Sequence, residues 1–155
     1  MKQKWLIGSG LVLALGLTAG LMGLTAQTSG QAATGYRPDL ARGERVYAEA
    51  CASCHGRALE GQADWRERGP DGRLPAPPHD VSGHTWHHPD RLLLDITLRG
   101  TAAVVGGGYQ SNMPGFAGRY SEDELRDVLE WIKTHWPQRA RQYQAELTAR
   151  DQAER

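Results

Sequence analysis

Cys51-Ala52-Ser53-Cys54-His55 is the stretch that decides how this chain is read. Two thiols three residues apart, followed at once by an imidazole, have the spacing in which each sulfur adds to a haem vinyl group while the adjacent histidine reaches the iron. Other uses of the same residues compete. Thiol-disulfide exchange also uses Cys-x-x-Cys, but on a βαβ framework, and no alternating strand pattern is present here. Zinc wants four ligands, and the chain has no second cysteine pair. A structural disulfide across so short a loop removes almost no chain entropy. Covalent haem fits the context best.

An iron bound by one histidine wants a second ligand. Of the three methionines, Met1 and Met22 lie in or beside an apolar N-terminal run, which leaves Met113 in Tyr109-Gln110-Ser111-Asn112-Met113-Pro114-Gly115-Phe116. Pro114 restricts the residue before it to extended backbone and so can hold the thioether inward. A lone methionine is commonly core filler, and a histidine is the competing ligand.

Outward from these motifs, 155 residues suffice for one domain with attachments. Lys+Arg and Asp+Glu are both 18, so the basic excess expected of a nucleic-acid binder is missing. With a single phenylalanine and few branched aliphatics after Tyr36, the core is thin for its length, which suggests that a cofactor fills part of it. Lys2 and Lys4 precede an uncharged run beginning at Trp5, long enough to span a bilayer, and Gly30-Gln31-Ala32 is only a tolerable cleavage site. Residues 1–26 therefore read as a signal-anchor or transmembrane helix. Residues 27–37 read as a linker, and the domain that follows as lying on the periplasmic or outer face.

Helical punctuation runs through the exported part. Leu40, Gly43, Val46, Tyr47 and Ala50 recur at spacings of three and four after Pro38-Asp39 and predict a first helix. The segment 56–89 is crowded with Gly, Pro, Asp and His, and should wrap around something. A second helix is expected from Pro89-Asp90 to about Arg99, with Leu92, Leu93, Ile96 and Thr97 inward and Gly100 ending it. Ser121 and Glu124 form a capping box for a third helix carrying Leu125, Val128, Leu129, Trp131 and Ile132, ending by Pro137. The tail 138–155 has almost no apolar stripe and reads as a frayed helix or disorder. Asp39, Glu44 and Glu49 read as a solvated helix face.

In this order, first helix, Cys-x-x-Cys-His, wrapping loop, middle helix, Met-Pro loop and terminal helix, the stretch from Pro38 to Trp136 resembles the class I c-type cytochromes. The resemblance implies an all-α cytochrome c fold, three to four helices around one covalent haem c, within a domain spanning 38–137. It implies that the first and last helices cross, with Gly43 and Tyr47 against Leu129 and Trp131 or Ile132. It also implies a proline carbonyl accepting the proximal imidazole N–H, for which Pro77 is the choice within Pro75-Ala76-Pro77-Pro78. The function implied is one-electron transfer between a redox protein donor and acceptor, without catalysis, through iron held by His55 and Met113.

The chain departs from a minimal member of that family in the stretch His79-Asp80-Val81-Ser82-Gly83-His84-Thr85-Trp86-His87-His88. Three readings of His79, His84, His87 and His88 stand side by side: packing around the haem, an auxiliary copper or zinc site, and haem ligation in place of Met113. His88 beside Pro89-Asp90 is also placed to cap the middle helix. Two other functions compete with electron transfer, a copper-handling module built on these histidines and a thiol-disulfide oxidoreductase built on Cys51 and Cys54. Arg57, Arg99 and Trp65 are possible propionate partners that spacing does not separate.

Overall fold

The computed structural model describes residues 35–155, so the apolar stretch 1–26 and most of the linker 27–37 lie outside the described residues. The described part is helical, with α1 (Leu40–Ala50), α2 (Ala52–His55), a 3-10 turn (Thr85–His87), α3 (Asp90–Arg99), α4 (Thr101–Val105), α5 (Glu122–Thr134) and α6 (Gln138–Ala153). Among the described residues, strand-type pairing is limited to two isolated bridges, Gly100 with Pro114 and Ala117 with Tyr120. No described helix is long and apolar enough to cross a membrane.

The boundaries follow from capping. Asp39 accepts a hydrogen bond from the Arg42 amide at 3.0 Å and so caps α1, rather than standing on a solvated face as expected. Gly43, Val46 and Tyr47 are the buried stripe of that helix. The Ser121 and Glu124 box is formed at α5, whose buried face carries Leu125, Val128, Leu129 and Ile132. α3 begins after Pro89 with no side-chain cap, which corrects the role expected of His88. The His88 carbonyl instead accepts a bond from Gln144 of α6.

α1 and α5 cross at Gly43. A Cβ on that residue would stand 2.2 Å from the Asp127 carbonyl oxygen and 3.0 Å from the Trp131 Cβ, so only glycine permits the approach. Tyr47 and Trp131 then pack with ring centroids 4.8 Å apart. Val46, Tyr47, Leu59, Val128, Ile132, Trp136 and Ala140 form the main apolar cluster. At its edge Asp127 is fully shielded from water and accepts from the Tyr36 hydroxyl at 2.8 Å, the Asp39 amide at 2.9 Å and the Arg42 guanidinium. Burial alone pushes this carboxyl up. The three bonds outweigh burial and hold it below the ordinary carboxylate range.

α4 and α6 differ from expectation. α4 has no side-chain cap and one turn of small and β-branched residues, so no periodicity announces it. α6 corrects the reading of the tail as frayed: it is a continuous helix with Ala140 and Gln144 buried, in the same compact unit as the rest of 35–155. Its fastenings are mostly polar. Gln144 donates to the His88 carbonyl at 3.2 Å and the Asp90 carboxylate at 2.5 Å, the Asp90 amide donates to the Thr148 hydroxyl at 3.1 Å, and Arg91 pairs with Asp151 at 2.7 Å.

Gly43→Ala should destabilise the folded domain by at least ~2 kcal/mol, because backbone must move to admit the methyl group. Chemical denaturation of the holoprotein measures it. Asp127 contributes stability above the pKa of an unfolded carboxyl and loses it as pH falls through its lower folded value. Asp127→Asn should therefore lower the thermal midpoint at neutral pH and flatten the loss of stability toward acid, read from melts across that range.

Candidate haem site

α1 delivers Cys51 at its C-terminal cap, and α2 turns Cys54 and His55 onto the next turn. The Tyr47 hydroxyl donates to the Gly56 carbonyl at 2.8 Å, tying the end of the motif back to α1. Both thiols are free, Cys51 partly buried and Cys54 exposed. Burial, with a smaller contribution from Cys54, pushes the Cys51 thiol up to about 11. That is the opposite of the lowered pKa that a disulfide-exchange nucleophile needs.

His55 is buried, and its Nδ1 lies 2.8 Å from the Pro77 carbonyl oxygen. A carbonyl only accepts, so Nδ1 carries the proton, and Nε2 is left as the free lone pair with no hydrogen bond from any described residue. Burial lowers the imidazole pKa and the Pro77 bond opposes it in part, so the ring is neutral and able to donate to a metal. Two glycines make this contact possible. A Cβ at Gly61 would stand 2.5 Å from the Pro78 nitrogen, and one at Gly83 would stand 2.0 Å from the Pro78 carbonyl oxygen. The chain on both sides thus closes tightly on the proline pair.

Met113 sits in a loop pinned to the end of α3. The Phe116 amide donates to the Thr97 carbonyl and the Ala117 amide to the Leu98 carbonyl, each at 3.0 Å. A Cβ at Gly115 would stand 2.6 Å from the Leu98 carbonyl oxygen. The Met113 amide itself donates to the Ser111 hydroxyl at 3.1 Å. Arg73, which spacing did not single out, reaches this loop from the other side by donating to the Asn112 side chain at 2.7 Å. Its Nε is shielded from water with no acceptor. A guanidinium nitrogen orphaned on a side chain that grips the residue before Met113 fits a site whose occupant carries carboxylates. Of the other possible propionate partners, Arg99 is paired with Asp95 at 3.0 Å, Arg57 is exposed, and Trp65 stacks on His84.

The four histidines of the wrapping loop do not converge. His79 lies against His55 with ring centroids 4.0 Å apart. His84 stacks on Trp65 at 5.4 Å and meets His88 edge-on at 5.3 Å. His87 packs on Trp86 at 3.7 Å, with Tyr143 of α6 against both rings. Burial is the main cause lowering the pKa of His79, His84 and His88. Among the described residues, no group of three or more His, Cys, Asp or Glu side chains is arranged to hold a metal ion. The segment is an aromatic seam between the wrapping loop and α6.

A helical domain that brings a Cys-x-x-Cys-His turn, a carbonyl-bonded imidazole and a Met-Pro loop onto one body belongs to the class of haem-binding electron carriers. The chain belongs to the cytochrome c family, whose model matches residues 40–136. Its cofactor is accordingly covalently bound haem c with iron, and it works with redox partners. No curated protein and no solved structure matches the chain.

Replacing His84, His87 and His88 together by alanine should cost about 2 kcal/mol through the lost ring contacts and leave the visible spectrum unchanged. Thermal melts and absorption spectra of purified holoprotein check both halves. Stoichiometric copper binding by the wild type that the triple variant lacks would contradict the seam reading.

Proposed function

We propose that this protein is a class I c-type cytochrome, a one-electron carrier in which Cys51 and Cys54 would hold the haem through thioether bonds and His55 and Met113 would ligate its iron. Bound haem c supplies an Fe(II)/Fe(III) couple. The observation that carries the reading is the 2.8 Å contact between His55 Nδ1 and the Pro77 carbonyl, immediately beside two free thiols. It fixes the tautomer and leaves Nε2 as the donor atom, with the carbonyl orienting the ring as a histidine ligand requires.

The remaining residues act by exclusion and orientation. With His55 and Met113 both bound to the iron, no coordination position would be open to a substrate, and the protein would carry charge without making or breaking substrate bonds. Arg73 offers its orphaned Nε to a propionate. The loop after α4 is pinned to the end of α3 through the Phe116 and Ala117 amides, which supports an ordered position for Met113. His79 stacks on the His55 ring with its Nδ1 engaged by Thr85, which supports a packing role for it and leaves Met113 as the proposed second ligand. The charge-free run from Trp5 supports export, with residues 1–26 as the anchor and the haem domain on the periplasmic or outer face. The donor and acceptor are proposed to be respiratory-type redox proteins, consistent with the raised potential that a thioether ligand gives.

Intact-mass measurement of protein extracted from membranes should find one haem added to a polypeptide that begins at or near Met1. The pigment should stay on the chain in acid and organic solvent. In the oxidised state a weak far-red sulfur-to-iron band is expected, and Met113→Ala should abolish it, lower the potential and open the reduced protein to carbon monoxide. Free extraction of the haem, or an unchanged band in the variant, overturns the corresponding assignment.

A further inference from the structure

His79 is the histidine of the wrapping loop that reaches the attachment motif, and it is fastened from several directions. Its ring faces that of His55 with centroids 4.0 Å apart and planes 24° from parallel. Tyr47 stands edge-on to it at 6.3 Å. Its Nδ1 lies 2.8 Å from the hydroxyl of Thr85, itself buried. Its amide donates to the Leu59 carbonyl at 2.8 Å, and its carbonyl accepts from the Trp136 indole at 2.7 Å. Leu59 and Trp136 belong to the main apolar cluster, so the backbone that carries the His79 ring is tied on both sides to that cluster.

His55 has a single polar tie, at Nδ1. A hydrogen bond at one nitrogen fixes the tautomer and restrains twist about the axis through Nε2 from the ring's edge only, leaving its faces unsupported. A second aromatic plane packed on the ring face resists the twist directly, since turning drives ring edges into occupied volume. We propose that His79 is a positioning residue that sets the plane of the proximal imidazole, with Thr85 holding His79 in turn; the proposal rests on His55 being the iron ligand. The loop segment that distinguishes this chain from a minimal cytochrome c thus acts on the ligand already present and adds no second metal site.

The orientation of an axial imidazole plane governs the splitting of the iron orbitals in the oxidised low-spin state. It is read in the g-anisotropy of the electron paramagnetic resonance spectrum and in the spread of the haem methyl resonances. A residue that only stabilises the fold leaves both unchanged. In the oxidised holoprotein, His79→Ala should shift the g-values and reorder the methyl resonances while the haem stays attached and the far-red band persists. His79→Phe, which keeps a ring on His55, should remain near wild type, and Thr85→Val should fall between. A His79→Ala spectrum superimposable on wild type overturns the proposal, as does a His79→Phe spectrum displaced as far as that of His79→Ala. If His79→Ala yields no holoprotein, Thr85→Val decides, an unchanged spectrum counting against the proposal. Failure of the underlying reading is distinguishable, because it appears in the wild type itself as absence of attached haem or of a low-spin signal.

Discussion

The passage of Gly43 against the Asp127 backbone is the constraint on which the other placements depend. Helices carrying ordinary side chains at the crossing stand farther apart, and a glycine there lets the two backbones touch. That approach brings Tyr47 under Trp131 and sets the direction in which α1 ends. Cys51 is the residue at which it ends, and the Tyr47 hydroxyl fixes the Gly56 carbonyl just past His55. Asp127 completes the crossing by collecting Tyr36 and the Asp39 amide from before α1 and Arg42 from its first turn. A buried carboxylate with that many donors is costly to disturb, because removing one partner strands the rest.

The long segment between α2 and α3 has little regular structure, and its backbone groups must find partners case by case. Prolines shorten the problem by removing donors at residues 75, 77 and 78, leaving carbonyls to be satisfied. The Pro77 carbonyl takes the His55 ring, the Leu59 carbonyl takes the His79 amide, and the His79 carbonyl takes the Trp136 indole. The loop is thereby stitched to the attachment turn at one end and to the helix crossing at the other. Two aromatic contacts to Tyr143 and the Gln144 bond to the His88 carbonyl close it from outside, which explains why a helix with so little apolar surface is ordered at all.

Much of this was legible in the sequence because it is written in local chemistry. The Cys-x-x-Cys-His spacing, the Ser121 and Glu124 box, and the three-and-four spacing from Leu40 to Ala50 are each short-range signals that do not depend on what the chain meets later. Pro77 was reachable only through family resemblance, since nothing local separates it from Pro75 or Pro78. Asp127, Arg73 and the docking of α6 were not legible. Asp127 and Arg73 are ordinary surface residues by type, and their partners lie far along the chain. α6 is held by Gln144, Thr148 and Asp151, so a search for apolar periodicity passes over it. The four loop histidines look alike in sequence, and only packing separates the one against His55 from those along α6.

On the proposed reading, the two sides of the iron are held by different means. The Met113 side depends on a loop whose backbone is pinned to α3 by two amides and whose flank is gripped by Arg73 through Asn112. The His55 side depends on the Pro77 carbonyl and on His79, whose ring is held by the buried Thr85 and whose backbone is tied to Leu59 and Trp136 of the main core. A core-rooted contact fails only when the domain unfolds, whereas a loop pinned to the end of one helix can open locally at lower cost. If Met113 ligates the iron as proposed, the methionine side would be the one to open first to an outside ligand. A carrier tolerates that asymmetry, because electron exchange at the haem edge makes no demand on either axial bond, so long as both remain closed during the encounter.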